Sequence, residues 1–308
     1  MENDGSLVKN KIQQTTHLLR CSCSFLQTSE MAPTHAFDAQ LLINQGRVPQ
    51  ETFDQLKKWC STQKLPPLSD EQLVLFLLSC FNELKATQKT IHAHFTCKSG
   101  APELFFNRDA NAEDVQRAMK VCQVSILPRR TDKNDAIALW RLQDTSYYKF
   151  NLEYIIKLIF MVAELPLYQD PPDGLVVLID LKGLSLLHVT KLRLGPLRKF
   201  FHYVQEGYSC KIKQIHVLNT VYFIDKILII MKPLMSKELY NMITFHSAKG
   251  NMSDFFDNHI PIDLIPLDYG GHLPHQATLS MQTYNSFRGM KKFYKDEEEQ
   301  VKAYKLMQ

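Results

Sequence analysis

The sequence predicts an α/β protein that begins with a small helical bundle. Apolar residues recur at helical spacing from Phe37 to Phe106. After about residue 115, short apolar runs that suit strands alternate with helical patterns, and this alternation is typical of α/β layer structures. The chain has 308 residues, of which 45% are hydrophobic and 22% charged. It can therefore bury a sizeable core, and its composition is not that of a disordered protein.

The predicted helical bundle covers residues 35–115. Ser69 and Gln72 have the spacing of a capping box and so mark the start of a helix. An earlier helix ends at the proline pair 66–67, and a later one runs from about Ala86 to Phe95. We expect three or four helices whose apolar stripes pack on one another.

The predicted α/β region covers residues 116–287. A continuous apolar run from Leu175 to Ile179 follows the turn residues 171–174, which suits a strand covered on both faces. Further strands and helices alternate with it along the chain. The other predicted strands are 137–142, 212–218 and 244–246, and the predicted helices are 151–164, 192–206 and 225–231.

Motifs for catalysis, nucleotide binding and metal binding are absent from the sequence. There is no GxGxxG, GxxxxGK[ST] or GxSxG pattern, and the eleven histidines are scattered. Asp180 follows the strand 175–179, where an α/β enzyme can hold a catalytic acid. It can equally hydrogen-bond the turn at Lys182-Gly183. We predict no enzyme, no catalytic residue and no metal site.

Basic residues are concentrated between Lys182 and Lys213. Seven of them stand against the single acid Glu206. Three interpretations remain open: a solvated face, a surface for anionic lipid headgroups, or a nucleic-acid site. The last is disfavoured because no aromatic platform is interleaved with the charges. The basic residues are Lys182, Lys191, Arg193, Arg198, Lys199, Lys211 and Lys213.

The chain has two polar ends and no targeting signal that we recognise. Residues 1–34 are predicted to be a flexible polar tail, and residues 288–308 a charged C-terminal tail that forms a solvated helix or frays. The seven cysteines are mostly far apart, which favours free thiols in a reducing compartment. No run of eighteen apolar residues occurs, and charged residues surround the apolar stretch at 18–26. We expect a cytoplasmic protein that is monomeric.

Six motifs in one order resemble the CRAL-TRIO lipid-binding family. The resemblance spans about residues 38 to 290 and is closest to the branch of the alpha-tocopherol transfer protein and cellular retinaldehyde-binding protein. The motifs are SDEQLVLFL from Ser69, APELF from Ala101, IDLKG from Ile179 with His188 after it, KQIHVLN from Lys213, MKPL from Met231 and LDYGG from Leu267.

The resemblance implies an N-terminal helical domain packed on a lipid-binding domain with a mixed sheet and a mobile gate helix between about Tyr222 and Met242. It implies one non-covalently bound hydrophobic ligand, such as a retinoid, tocopherol, carotenoid or phospholipid, and no cofactor. The implied pocket residues are Ile156, Ile159, Phe160, Ala163, Leu175, Val177, Ile179, Leu186, Leu192, Tyr203, Val204, Tyr208, Ile212, Ile215, Phe223 and Ile227.

The sequence departs from the family pattern at two places. Ile159 and Ala163 stand where the tocopherol-binding relatives have serines, which argues against tocopherol itself. In the phosphoinositide cluster of the family, two gate positions are Glu238 and Met242, and the arginines after Phe76 are replaced. Four lysines remain as candidates for headgroup and membrane binding: Lys211, Lys213, Lys232 and Lys237.

These observations lead to two hypotheses for function. The first is a carrier that takes up a hydrophobic molecule and exchanges it while transiently associated with an anionic membrane surface. The resemblance adds phosphoinositides as lipids of that surface. The second is a lipid-sensing adaptor or scaffold that acts through protein partners bound to its tails. A lipid hydrolase is disfavoured, because the implied pocket lining is apolar apart from tyrosines.

Overall fold

The computed structural model of the protein describes residues 32–247, 250 and 252–308. The predicted tail 1–34 therefore lies almost wholly outside the described residues, as do Cys21 and Cys23. Six helices precede the sheet in the described part. They are α1 (Ala39–Asn44), α2 (Gln50–Cys60), α3 (Asp70–Ser79), α4 (Leu84–Ser99), α5 (Pro102–Phe105) and α6 (Glu113–Val121).

The predicted capping box at the start of α3 is confirmed. The Gln72 backbone N–H donates to Ser69 Oγ at 3.2 Å, and the Ser69 N–H donates to Gln72 Oε1 at 3.1 Å. Gln72 also donates to Gln300 Oε1 at 2.9 Å, so the capping residue contacts the far end of the chain. Helices α1 to α4 bury their apolar faces in a shared core that contains Leu56, Leu77 and Phe95.

The described residues form one five-stranded mixed sheet in the order β1-β2-β3-β4-β5. Only the β1–β2 pair is antiparallel, and the other three pairs are parallel. The α/β class with a mixed sheet is therefore confirmed. The strands are β1 (Cys122–Ile126), β2 (Asp135–Leu142), β3 (Gly174–Asp180), β4 (Ile212–Thr220) and β5 (Ile243–Ser247).

Side chains alternate between the two faces of the sheet, as strand geometry requires. Val176 and Leu178 of β3 face a core formed with residues 255–279, which includes Phe255 and Ile265. Leu175, Val177 and Ile179 face the other way, toward the helices that precede and follow β3. A buried parallel strand needs apolar residues on both faces, which is the reason that 175–179 is a continuous apolar run.

Four helices and a π-helical turn cover the second face of the sheet. Helix α9 (Leu194–His202) continues into a π-helical turn at Tyr203–Gly207, which precedes β4. The sequence predicts a regular helix to residue 206 at this place. Gly207 lies against α4 there, because an added Cβ would come within 2.9 Å of the His94 backbone. The helices are α7 (Leu152–Gln169), α9 (Leu194–His202), α10 (Ile224–Met231) and α11 (Lys237–Asn241), with the short α8 (Leu186–Val189) between β3 and α9.

The C-terminal residues form packed helices: α12 (Met252–Asn258), α13 (Gln276–Arg288) and α14 (Lys291–Met307). The segment 288–308 contains the helix that was predicted as one alternative, but its predicted solvation is wrong. Helix α14 buries Tyr294, Glu297 and Tyr304 against the N-terminal helices and α7. The buried face of α14 is not evident from its charged sequence. The buried carboxylate of Glu297 pairs with Lys98 and Arg108, which are far away in the sequence. The domain boundaries at 115 and 287 stay predictions.

The four predicted strands lie within β2 to β5, and the predicted helices 151–164, 192–206 and 225–231 correspond to α7, α9 and α10. Strand β1 and helices α6 and α13 were not predicted. Strand β1 alternates too briefly to stand out, and its pairing with β2 across a turn is a tertiary property.

Candidate lipid-binding site

A cavity of about 210 Å³ lies between the sheet and the helices α7, α9 and α10. Its floor consists of neighbouring strand residues, and Val177 is paired in register with Ile215 and Ile179 with Val217. Ala163 of α7 follows Ile159 by four residues and Phe160 by three, so all three side chains lie on the helix face above this floor.

Helix α10 closes the cavity on one side. Ile224, Ile227, Leu228 and Met231 line the cavity at helical spacing, while Ile229 on the outer face is 74% exposed. The outer face thus carries one exposed apolar side chain, Ile229, beside the charged Asp225 and Lys226. Pro233 follows in a 3₁₀ turn, Lys232–Leu234, and Met235 and Leu239 continue the lining.

The Tyr208 hydroxyl is the sole polar side-chain group among the residues that line the cavity. It donates to the Ala163 carbonyl oxygen at 3.0 Å. Burial raises the pKa of Tyr208 well above its ordinary value, so the phenol stays neutral. A ligand in this cavity meets an apolar surface whose one hydroxyl already has a partner. The arrangement offers burial of apolar surface and no nucleophile or base.

Eleven of the sixteen predicted pocket residues line this cavity. They are Ile159, Phe160, Ala163, Leu175, Val177, Ile179, Val204, Tyr208, Ile212, Ile215 and Ile227. Their contact with a ligand stays a prediction, but the structure does bring them together around one space.

The other five predicted residues do not line the cavity. Leu186 is 39% exposed on α8, and Leu192 is half-buried in the segment that follows. Ile156 and Phe223 are buried in the surrounding packing. Tyr203 lies behind the wall, where its ring packs on Phe105, Phe160 and His94.

Eleven further residues line the cavity without having been predicted: Leu181, Phe200, Phe201, Val217, Ile224, Leu228, Met231, Met235, Leu239, Ile243 and Phe245. The signal for several of them is in the sequence. The alternation of β3 extends to Leu181, and the helical stripe that contains Ile227 also contains Ile224, Leu228 and Met231. Ile243 and Phe245 depend on the pairing of β5 with β4, which the sequence does not show.

Asp180 has a structural role. Its Oδ1 accepts hydrogen bonds from the Lys182 backbone N–H and from Asn219 Nδ2, both at 2.8 Å, and its Oδ2 accepts one from the Tyr269 hydroxyl at 2.8 Å. The carboxylate therefore joins the ends of β3 and β4 to the 3₁₀ turn Leu267–Tyr269. The prediction that it hydrogen-bonds the turn at Lys182-Gly183 is confirmed.

Comparison with known families identifies the region that holds the cavity. Residues 120–271 match the family model of the CRAL/TRIO domain. The chain contains a CRAL/TRIO domain. This family comprises lipid-binding and lipid-transfer proteins, and the match includes the strands and helices that line the cavity. A second model, described as a Pinta-like UBA domain, matches residues 48–115, over α2 to α6.

Curated relatives of this CRAL/TRIO chain are similar at low identity. Alpha-tocopherol transfer protein-like from Homo sapiens is 24% identical over 209 residues, which are 66% of this chain and 59% of the relative. The Mus musculus protein of the same description gives 24% over 210 residues. Clavesin-1 from Xenopus laevis is 22% identical over 211 residues, 67% of this chain and 62% of the relative. The chain thus matches about three-fifths of the length of these relatives.

Among solved structures, the crystal structure of Sfh5 is similar with a TM-score of 0.44 and 11% sequence identity. The alignment covers 76% of this chain and 95% of the Sfh5 chain.

The four lysines predicted for headgroup binding have different surroundings, and their role stays a prediction. Lys211 lies in a groove with the carboxylates Glu83, Glu206 and Glu238. Lys213 forms an ion pair with Asp135 at 3.3 Å. Lys232 Nζ lies 4.5 Å from the centre of the Tyr240 ring, and Lys237 is exposed at the start of α11.

Proposed function

We propose that this protein binds one hydrophobic molecule in the cavity of its CRAL/TRIO domain and exchanges it at a membrane surface. The observation that carries the proposal is the apolar cavity, whose one polar group, the Tyr208 hydroxyl, is occupied by the Ala163 carbonyl. Such a lining favours a ligand that is recognised by shape and apolar area. Retinoid, carotenoid and phospholipid acyl groups belong to this class.

The volume of the cavity supports a mobile gate. About 210 Å³ lies below the range of about 300–1,000 Å³ that is common for small-molecule sites. A retinoid-sized ligand therefore needs outward movement of one wall. Helix α10 is the candidate, because it is short, is followed by Pro233 and exposes Ile229, so few contacts hold it from outside.

Exchange at a membrane follows from the energetics of release. A ligand with about 500 Å² of apolar surface gains roughly 12 kcal/mol from burial before the cost of association is subtracted. Release of such a ligand into water is slow, and transfer into a second apolar phase avoids that cost. Within the described residues, no helix has the length and apolar character needed to cross a membrane. We propose that contact with the bilayer is peripheral.

The surface for this contact is the end of the sheet where the parallel strands β2, β3 and β4 terminate, here termed the carboxyl edge. Segments that leave this edge expose large apolar or aromatic side chains, and the gate helix begins there. Amphipathic and aromatic groups of this kind insert at the boundary between headgroups and acyl chains. The exposed side chains are Tyr147, Tyr148, Leu186, Leu187, Leu194, Tyr222 and Ile229.

The first experiment tests the ligand. Organic extraction of the native protein followed by mass spectrometry should release about one apolar molecule for each chain. The variant Ala163→Phe, which places a ring in the cavity, should lower that stoichiometry more than tenfold. The matched variant Ala303→Phe on α14 should leave it unchanged. A protein that contains no apolar molecule and takes up no retinoid, carotenoid, sterol or phospholipid would refute the proposal.

The second experiment tests the carboxyl edge. The double variant Leu187→Asp/Ile229→Asp should slow transfer of a fluorescent retinoid between vesicles, because two carboxylates oppose insertion into the interface. Both side chains are exposed, so unfolding free energy should change by less than about 0.5 kcal/mol. The matched variant Leu306→Asp changes an apolar side chain that is 90% exposed at the end of α14. Equal transfer rates for wild type and the double variant would exclude this edge.

We propose in addition that phosphoinositides in the membrane trigger release of the ligand. This proposal rests on Lys211, which shares its groove with three carboxylates, and on Lys232 and Lys237 beside the gate. Lys211→Glu should reduce any stimulation of transfer by phosphoinositide vesicles and leave retention of the apolar ligand intact. Stimulation of wild type and variant to the same extent would remove Lys211 from the mechanism.

A further inference from the structure

A second cavity, here termed the basic groove, lies at the carboxyl edge and shares no lining residue with the apolar cavity. Its volume is about 560 Å³, within the range of about 300–1,000 Å³ typical for small-molecule sites. It lies between α6, the amino end of α7 and the segment that follows α8. Its charged lining residues are Arg117, Lys120, Lys149, Lys191, Arg193 and Glu153.

The cations of the basic groove are only partly neutralised. Within the described residues, Lys120 and Lys191 have no carboxylate within ion-pair distance, and Lys191 Nζ instead lies 5.7 Å from the centre of the Tyr147 ring. Five cations and three carboxylates leave a net charge of about +2. The three pairs are Arg117–Glu113 at 2.5 Å, Lys149–Asp144 at 2.6 Å and Arg193–Glu153 at 3.1 Å.

The pairs in the basic groove are weak enough to exchange partners. The side chains of Arg117 and Glu113 are 63% and 77% exposed, and that of Arg193 is 70% exposed. Exposed ion pairs of this kind contribute little to stability, so an incoming phosphate can replace the carboxylates without a large loss. Asn151 and Glu153 at the start of α7 also line the groove, so the positive end of an 18-residue helix adds to the cationic side chains.

The groove is adjacent to the proposed membrane contact. Tyr148 lines the groove and is also 67% exposed, and Lys191 follows the exposed Leu187 by four residues. Strands β2 and β3 are parallel neighbours, so the segments after Leu142 and after Asp180 leave the sheet side by side. Cationic and apolar side chains are thus combined at one edge, as binding to an anionic bilayer requires.

We propose that the basic groove binds the phosphate-bearing headgroup of an anionic phospholipid whose acyl chains stay in the membrane. This inference rests on the proposed contact between the carboxyl edge and a membrane. The groove is separate from the site at Lys211, and it determines which membranes the protein contacts, whereas the apolar cavity determines the cargo. Two of the basic residues between Lys182 and Lys213 line the basic groove, namely Lys191 and Arg193.

The test compares binding to phosphatidylcholine vesicles with and without phosphatidylserine, measured by flotation. We expect Lys120→Ala/Lys191→Ala to weaken binding to the anionic vesicles about 30-fold, the factor expected for two lysines at a bilayer surface. Binding to pure phosphatidylcholine should not change. Glu153→Gln, which removes the one carboxylate that lines the groove, should strengthen binding to the anionic vesicles about fivefold.

The matched control is Lys58→Ala/Lys305→Ala, which removes the same net charge from exposed positions on α2 and α14. Its binding should stay within about twofold of wild type. The inference is overturned if Lys120→Ala/Lys191→Ala binds anionic vesicles as tightly as this control. It is also overturned if inorganic phosphate raises the melting temperature through these lysines while vesicle binding is unaffected by them, since the groove would then serve a free anion.

Failure of this inference can be told apart from failure of the proposed function. Apolar ligand stoichiometry and transfer between pure phosphatidylcholine vesicles do not involve the groove lysines. Wild-type stoichiometry and transfer in Lys120→Ala/Lys191→Ala, together with unchanged binding to anionic vesicles, reject the groove alone. A protein without ligand that still shows the lysine-dependent vesicle binding rejects the carrier function and supports the groove.

Discussion

Lys98 Nζ donates to Glu297 Oε1 at 2.5 Å and so connects helix α4 with helix α14, 199 residues apart in sequence. Lys98 also contacts Glu164 of α7 at 3.0 Å, and Arg108 pairs with both carboxylates. All four side chains are at most 7% exposed. Two positive and two negative charges are thus buried where the N-terminal helices, the CRAL/TRIO domain and the C-terminal helix meet.

Removal of one member of this cluster should be strongly destabilising. Burial favours the neutral acid of Glu297, but Lys98 and Arg108 outweigh this and hold its pKa well below the ordinary value. Glu297→Ala leaves two buried cations with a single carboxylate, and we expect the free energy of unfolding to fall by about 3–5 kcal/mol. Urea denaturation measures this. Glu299→Ala, two residues away and exposed beside Lys302, should cost about 0–1 kcal/mol. Similar losses for the two variants would contradict a buried role for Glu297.

Gly207 should be intolerant of a side chain, since a Cβ there meets the His94 backbone at 2.9 Å. We expect Gly207→Ala to lower the free energy of unfolding by about 1–3 kcal/mol, because α4 must move away from the π-helical turn. Gly195 in α9 has no atom within 4 Å of its added Cβ, so Gly195→Ala should be neutral or stabilising. Chemical denaturation of both variants tests this pair. Equal stability of the two would show that the close approach of α4 is not required.

Acid should destabilise the protein through the histidine cluster on the sheet face opposite the apolar cavity. His216 Nδ1 lies 3.0 Å from His246 Nε2, and the His259 ring centre is 4.8 Å from that of His216. Burial, together with His259 and His246, lowers the pKa of His216 to about 4. Asp254 partly offsets the effect at His246, and the uncharged Gln214 and Phe255 are the other neighbours.

The sign follows from proton linkage. In the unfolded chain a histidine has a pKa near 6.5, so between about pH 6.5 and pH 4 the unfolded state binds more protons. The stability that depends on the neutral form of His216 is fully present above about pH 6.5. The melting temperature should therefore fall as the pH drops from about 6.5 to about 4. His35 and His94, whose pKa values are lowered by burial to about 4 and about 3, add to the fall.

A variant isolates the cluster from the other histidines. His259→Gln removes one neighbouring charge, so the fall in melting temperature between pH 6.5 and pH 4 should be smaller than in wild type. His272→Gln, at an exposed ring that contacts Asp263, should not reduce the fall in this way. Identical pH profiles for wild type and His259→Gln would show that His259 does not contribute to the lowered pKa of His216.

The Tyr208 hydroxyl should matter more for packing than for the ligand. Tyr208→Phe removes its hydrogen bond to the Ala163 carbonyl, and the free energy of unfolding should fall by about 1 kcal/mol. Affinity for an apolar ligand should stay within about threefold, because the hydroxyl is already occupied. Fluorescence titration with a retinoid measures the affinity. A loss of tenfold or more would mean that the hydroxyl turns to the ligand when the cavity is filled.

Much of the fold could be predicted from local sequence. The capping box of α3, the apolar run of β3 and the helical stripe of α10 each depend on residues within a few positions of one another. The resemblance to the CRAL-TRIO family, carried by its motifs, indicated eleven of the side chains that line the cavity. Tyr203 does not line the cavity, because its ring packs on Phe105, Phe160 and His94, which belong to elements that are distant in the sequence.

Other features depend on distant parts of the chain. Glu297 belongs to a charged, apparently solvated stretch, and only the packing of α14 against Lys98 and Arg108 shows that its charge is buried. Lys191 belongs to the basic run 182–213, whereas nothing in the sequence connects Lys120 with it. The two share a groove because β1, which follows Lys120, begins beside the end of β2, and β3, which precedes Lys191, also ends beside β2.

The sequence by itself determined most of the helices and strands and the apolar character of the cavity lining, because spacing and composition act locally, and its motifs indicated the family. The tertiary structure decided which charges are buried, which are free and which side chains share a groove. Burial and ion pairing join residues that are far apart along the chain, and their energies are set by distance in space.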